Sequence, residues 1–167
     1  RSLLGGRNKA PAYRPRTPHP NTGAVPSLVP LPASLKVDGG APFTLKDSTV
    51  LVAKGQASDS AKFLAAILRR STGFPLPIVP SSSGHDSFIS LTVDPHTRIG
   101  TYTRQEEAYS LVSRTGSIAA RAVTDHGLFD AVQTIRQLFP PLIESTRPMM
   151  RSWTAPAVTI TAAPRFS

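Results

Sequence analysis

YSLVSRTGSIAARAVTDHGLFDAVQTIRQLFP, residues 109–140, is the stretch whose reading decides the fold. It opens with two strand-like runs, residues 109–114 and 117–123, separated only by Thr115-Gly116. A two-residue joint containing glycine ties neighbouring strands into a hairpin. The period then changes. From Leu128 the apolar residues fall at Leu128, Phe129, Val132, Ile135, Leu138 and Phe139, the spacing of a helix with one oily face. Asp125 is placed as the N-cap, because its carboxylate can accept a bond from a free first-turn amide. Pro140-Pro141 stops the helix, since neither residue has an amide hydrogen to donate. Phe129, Val132 and Ile135 are expected to pack on the sheet, and Asp130 to lie on the wet flank.

Working outward, residues 43–46 and 49–52 read as short strands flanking Asp47-Ser48. Residues 57–70 form a first helix with Ala61, Phe63, Leu64, Ile67 and Leu68 as its buried stripe. Ser58 or Asp59 caps its start, and Gly73 with Pro75 ends it. Ile78-Val79 is a brief extended piece, and residues 81–84 are a loop. Phe88–Val93 alternates apolar and polar residues as a half-buried strand does. Residues 94–105 are a polar connection, 144–153 a loop, and 157–161 a last strand. Strands in antiparallel order with two helices on one face make an α+β two-layer sandwich. Residues 1–32 hold seven prolines, which block helix and ladder formation, so residues 1–24 are a linker or leader. Residues 28–32 are expected to lie extended along the domain surface.

Glu107-Ala108-Tyr109-x-Leu111, Gly116-x-Ile118-x-Ala120 and Gly127-Leu128-Phe129-x-x-Val132-Gln133-Thr134-Ile135-Arg136-Gln137-Leu138 together resemble a known domain. It is the non-catalytic N-terminal domain of family 20 glycoside hydrolases, the β-N-acetylhexosaminidases. Val29-Pro30-Leu31-Pro32 resembles that family's opening motif. Val158-Thr159-Ile160 with Pro164-Arg165-Phe166 resembles the lead-in to its catalytic barrel. The resemblance spans residues 25 to 167. Ala108 and Ala131 stand where the pattern favours glycine, and Ala162 stands where it has an acid. The resemblance implies a five- to seven-stranded, mostly antiparallel sheet with an outline like that of zinc peptidases. It implies an accessory domain, residues 25–161, followed at 162–167 by the connection to a catalytic (β/α)8 barrel. That barrel would be the partner, in a secreted, periplasmic or lysosome-like protein that removes terminal N-acetylhexosamine from glycans or chitooligosaccharides.

Composition limits the alternatives. The apolar fraction of 40% and near-zero mean hydropathy describe a globular chain of 167 residues, long enough for a real core. No apolar run approaches the roughly 20 residues that cross a bilayer, so no membrane partner is expected. The chain starts without Met and without a leader of charged end and apolar middle. A processed chain or an excised piece is therefore expected. With no cysteine there are neither disulfides nor thiolate metal sites. The net charge of +9 is uneven: Arg1, Arg7, Lys9, Arg14 and Arg16 lie in the first 20 residues with no acid among them. The tail reads as a solvated leader and not as a nucleic-acid arm, which would need a basic face with stacking aromatics.

Catalytic chemistry finds no footing in these residues. A zinc peptidase helix needs two histidines at i and i+4 with a glutamate beside the first. His19, His85, His96 and His126 each stand alone, so neither a metal nor a cofactor is expected. Glycoside hydrolysis needs two carboxyl groups around one bond, or one acid with an activated substrate amide. Glu106 and Glu107 are adjacent and read as a solvated strand start. No nucleophile elbow, Ser-x-x-Lys pair or phosphate loop is present. In the resembled family the catalytic Asp-Glu pair belongs to the barrel, downstream of Ser167. No catalytic residue is therefore assigned here, and the chain alone is expected to be inactive. Gln133 and Arg136 are candidates for contact with a neighbouring domain, and Trp153 for docking or partial burial. The alternative readings are a free-standing carbohydrate-binding or propeptide-like module and, remotely, a basic nucleic-acid-binding domain.

Overall fold

Nine strands and two long helices make up the computed structural model, which describes Leu28 and residues 34–163. The leader 1–24, the opening motif 29–32 and the tail 164–166 fall outside the described residues. The strands are β1 (Ser34–Val37), β2 (Phe43–Leu45), β3 (Val50–Val52), β4 (Ile78–Val79), β5 (Phe88–Val93), β6 (Tyr109–Arg114), β7 (Ser117–Ala122), β8 (Trp153–Ala155) and β9 (Val158–Ala162). Helix α1 spans Ser58–Thr72 and α2 spans Asp125–Leu138.

Seven strands form one sheet in the order β1-β9-β6-β7-β5-β3-β4, and β2 pairs with β8 as a separate ribbon. The β6–β7 hairpin is as expected: Arg114 faces Ser117 across the Thr115-Gly116 joint. Four of the seven strand pairings are antiparallel, in keeping with the α+β class. The remaining block, β7-β5-β3-β4, is parallel. Parallel neighbours need a crossover connection, and α1 supplies it between β3 and β4. Residues 43–46 and 49–52 therefore do not pair with each other, although they are close in sequence. Strand β1 extends the antiparallel side beyond what the sequence indicated, because its register with β9 satisfies that edge. Leu28 is buried, not laid along the surface.

The helices fill one face of the sheet. Ala61, Leu64, Ala65 and Leu68 of α1, with Leu128, Ala131, Val132 and Ile135 of α2, are fully buried against Leu51, Ile89, Leu111, Ile118 and Ile160. Gly73 ends α1 in the left-handed conformation, φ 74°, and its amide donates to the Arg69 carbonyl at 2.9 Å. Neither Ser58 nor Asp59 caps the start of α1. The turn Gly55–Ala57 runs straight into the helix, and Ala57 at the boundary is already helical. Nor does Asp125 cap α2. Thr124 does: it is extended, and its Oγ1 accepts the Gly127 amide at 3.1 Å. Asp125 lies one residue inside, and its carboxylate accepts only the adjacent His126 amide. Phe139 leaves the helix as an extended residue and packs edge-on against Phe43, with ring centroids 6.3 Å apart.

Trp153 is 1% exposed and begins β8, which shortens the expected 144–153 loop from its far end. The indole seats the β2–β8 ribbon, while the Arg151 guanidinium stands 5.3 Å from its ring centre.

Candidate docking surface

Two aromatic residues placed in the core by their sequence pattern lie instead on the outer face of the helix layer. Phe129 is 40% exposed and Phe63 is 38% exposed. At 3.6 residues per turn, Phe129 stands about 140° around α2 from the middle of its buried stripe, too far to reach the sheet. The two rings meet across the helices, with centroids 5.1 Å apart and planes tilted by 48°. With this contact in place, more than a third of each residue still faces outward.

An arginine completes the patch. The Arg136 guanidinium lies 5.7 Å from the centre of the Phe63 ring. It is held there from both sides, donating Nη1 to Gln133 Oε1 at 2.7 Å and Nε to Glu144 Oε2 at 3.1 Å, with a second bond from Nη2 to Glu144 Oε1. Such a two-pronged bond to a carboxylate fixes the plane of the guanidinium. Glu144 comes from the turn Pro141–Glu144 after α2, and that turn also exposes Leu142 at 43%. Gln133 and Arg136 thus form part of this preset surface, whose aromatic area comes from Phe63 and Phe129. An open groove of about 320 Å³ borders the rings, lined by Gln56, Asp59, Ser60, Asp125 and His126 beside Phe63 and Phe129.

The remaining sequence candidates do not gather into a reacting centre. His85, His96 and His126 are on separate segments, and His19 lies outside the described residues. Among the described residues no three His, Asp or Glu side chains are placed to hold a metal ion. Glu106 and Glu107 sit in a short 3-10 turn, Gln105–Glu107, and not on a strand. Glu106 is solvated, but the Glu107 side chain is only 12% exposed and Arg104 Nε stands 3.0 Å from its Oε2. The packing of this turn onto α2 overturns the solvated reading of Glu107. It also covers Asp130, whose side chain is 15% exposed and not on a wet flank. No periodicity of α2 could have shown this, because the covering turn comes from residues some twenty positions earlier.

Residues 25–162 match the family described as glycosyl hydrolase family 20, domain 2. The chain is 29% identical over 141 residues to a beta-hexosaminidase of Porphyromonas gingivalis, covering 84% of this chain and 17% of that protein. It is 29% identical over 148 residues to a beta-N-acetylhexosaminidase of Cellulomonas fimi, covering 84% of this chain and 27% of the relative. Among solved structures, the family 20 beta-N-acetylhexosaminidase from Streptomyces coelicolor superposes with a TM-score of 0.71 at 31% identity, over 86% of this chain and 28% of that one. The Streptomyces plicatus N-acetyl-beta-hexosaminidase gives 0.68 at 29% identity. The chain spans between a sixth and under a third of the length of these relatives. A buried hairpin and helix in the expected register, a sheet with its helices on one face, and a match covering most of the residues agree: this chain belongs to the family 20 glycoside hydrolases, as their domain 2.

Proposed function

We propose that this chain is the accessory domain of a β-N-acetylhexosaminidase and that its helix face docks on the catalytic barrel of the same polypeptide. The observation that carries the reading is the Phe63–Phe129 patch, with Arg136 locked over it, in a domain whose relatives are several times longer. Exposed aromatic rings beside a pre-oriented arginine are the usual make-up of an interface centre. Topology supports the same occupant. Ala162, at the end of β9, pairs with Tyr109 at the start of β6, and Tyr109 pairs with Ala122, three residues before α2 begins. The parallel β3–β5–β7 block places the start of α1 at the same end. The chain therefore leaves the sheet beside the helix N-termini and the groove between Phe63 and Phe129. Hydrolysis of terminal N-acetylhexosamine would be carried by the barrel, and the accessory domain would hold that barrel's outer wall.

The test compares the isolated chain with the whole polypeptide on a chromogenic N-acetylglucosaminide. The isolated chain should show no turnover and the whole polypeptide should turn over. A double Phe63→Ala, Phe129→Ala change should lower the melting temperature of the whole polypeptide by clearly more than that of the isolated domain. Equal effects on both would place the patch outside any interdomain contact. Saturable binding of chitooligosaccharides to the isolated chain, abolished by the same change, would favour a carbohydrate-binding module instead.

A further inference from the structure

On α2, His126, Asp130 and Thr134 follow one another a turn apart, with Thr134 against the start of β6 and Asp130 toward the turn Gln105–Glu107. The seam between these elements is close. Thr124 Oγ1 donates to the Glu106 carbonyl at 2.6 Å, and Tyr109 Oη and Thr134 Oγ1 are 2.5 Å apart. A Cβ on Gly127 would stand 2.7 Å from the Ala108 carbonyl oxygen. Two acids are caught in this seam, Glu107 on the turn and Asp130 on the helix. Glu107 Oε2 and Asp130 Oδ2 are both shut off from solvent and neither has a hydrogen-bond partner. Buried oxygens in that state are costly unless a donor reaches them.

The surroundings separate the two acids. Glu107 has the Arg104 guanidinium beside its buried oxygen, with Nε 3.0 Å from Oε2. Asp130 has His126 Nε2 at 3.9 Å, on a ring that is largely exposed. Burial raises the Asp130 pKa above its ordinary value; the His126 ring opposes the shift and the negative charge of Glu107 adds to it. Tyr109, facing from β6, is kept neutral by its own burial. Arg104 and Glu106 complete the charged groups on the facing turn, and they pair with each other at 3.6 Å at the surface.

We propose that Asp130 and Glu107 form a proton-operated latch between α2 and the Gln105–Glu107 turn. With Asp130 protonated, its hydroxyl donates to the buried Glu107 oxygen and the seam is closed. When Asp130 loses the proton to water, two like charges share a poorly solvated gap, and the turn is pushed from the helix. An acid that is weaker in the folded state than in the unfolded one stabilises the fold at low pH. That contribution is complete below the ordinary carboxylate value and disappears as the pH rises through the folded Asp130 value.

Melting temperature and amide exchange of residues 104–109, corrected for the intrinsic pH dependence of exchange, test the latch between pH 4 and pH 8. In the unaltered chain, protection of this segment should fall about tenfold and melting should drop by about 2–4 °C as the pH rises, the shift expected for one carboxyl in a domain of this size. Asp130→Asn, whose amide still donates to Glu107, should hold protection and melting at the low-pH level throughout. Glu107→Gln should make the profile shallower, by removing the repulsion while burial of Asp130 remains. Parallel profiles for the unaltered chain and Asp130→Asn would overturn the latch. Were either variant to unfold, a carbon-detected titration of Asp130 in the unaltered chain decides: a pKa at or below the ordinary aspartate value overturns the proposal, and a raised one supports it.

Discussion

Phe129 and Ile135 are both apolar residues of α2, yet they lie about 120° apart around the helix and have opposite roles. Ile135 is wholly buried, whereas Phe129 is 40% exposed and already has Phe63 as a neighbour. Truncating Ile135 to alanine removes atoms that touch the sheet and should cost about 2–5 kcal/mol. Truncating Phe129 in the isolated domain should cost less, about 1–2 kcal/mol, because a large share of the ring's area stays in water either way. Urea unfolding of the two variants checks the contrast, and equal losses would mean that the helix sits rotated on the sheet. Periodicity alone placed Phe129 among the core residues, since an apolar letter beside Leu128 widens the stripe without saying where it ends. Whether a flank is dry depends on what lies over it, and a one-dimensional pattern does not contain that.

At the scale of an element, α2 is fixed to the sheet at its first turn. Thr124 satisfies the Gly127 amide and also binds the Glu106 carbonyl, so a single hydroxyl joins the helix start to the preceding turn. Thr124→Ala should destabilise by about 1 kcal/mol or somewhat more, the usual loss for an N-cap with an added contact. Thr124→Ser should restore most of it. Gly127 makes a stronger statement. An added methyl would lie 2.7 Å from the Ala108 carbonyl oxygen and 3.2 Å from Ala122 Cβ, so the helix must lift from the sheet to accept it. Helix propensity favours alanine over glycine by about 1 kcal/mol. Gly127→Ala should nonetheless destabilise by about 1–3 kcal/mol, because crowding a packed seam outweighs that gain. Thermal melting settles the sign, with Gly39→Ala, which meets no atom within 4 Å, as a control of small effect.

In the molecule as a whole, the strongest ladders are central and the weakest peripheral. Strands β6 and β7 are paired on both sides by six or five residues at a time and β5 by six on one side and three on the other, whereas β4 is a two-residue edge and β2–β8 a detached three-residue ribbon. Local opening is cheapest where few buried contacts and few ladder bonds must be broken. Native-state hydrogen exchange should therefore be slowest at Leu111, Ile118, Ala120 and Ile89, and faster by orders of magnitude at Val79 and Thr154. Uniform protection across the sheet would show that the chain opens only globally. The same picture limits what the helix layer does. It covers one sheet face with its own buried stripe, and the side it turns outward carries two partly exposed aromatic rings and a fixed arginine.

By itself, the sequence determined the elements that rest on local rules: the Thr115-Gly116 hairpin, the helical period from Leu128 onward, the glycine stop at Gly73 and the alternation of Phe88–Val93. Their physical causes lie within a few residues, in turn geometry, missing amide hydrogens and side-chain period, so they can be read in one dimension. The family, too, was legible from the Gly127–Leu138 pattern with its flanking hairpin. Only the tertiary structure decided that β3, β4, β5 and β7 run parallel, that Trp153 is buried in a ribbon with β2, and that Phe63 and Phe129 face outward as a pair. It also decided that Glu107 and Asp130 are both covered, each with a buried oxygen. Each of these depends on which distant segment lies alongside, and burial and charge coupling are set by neighbours in space that local sequence does not specify.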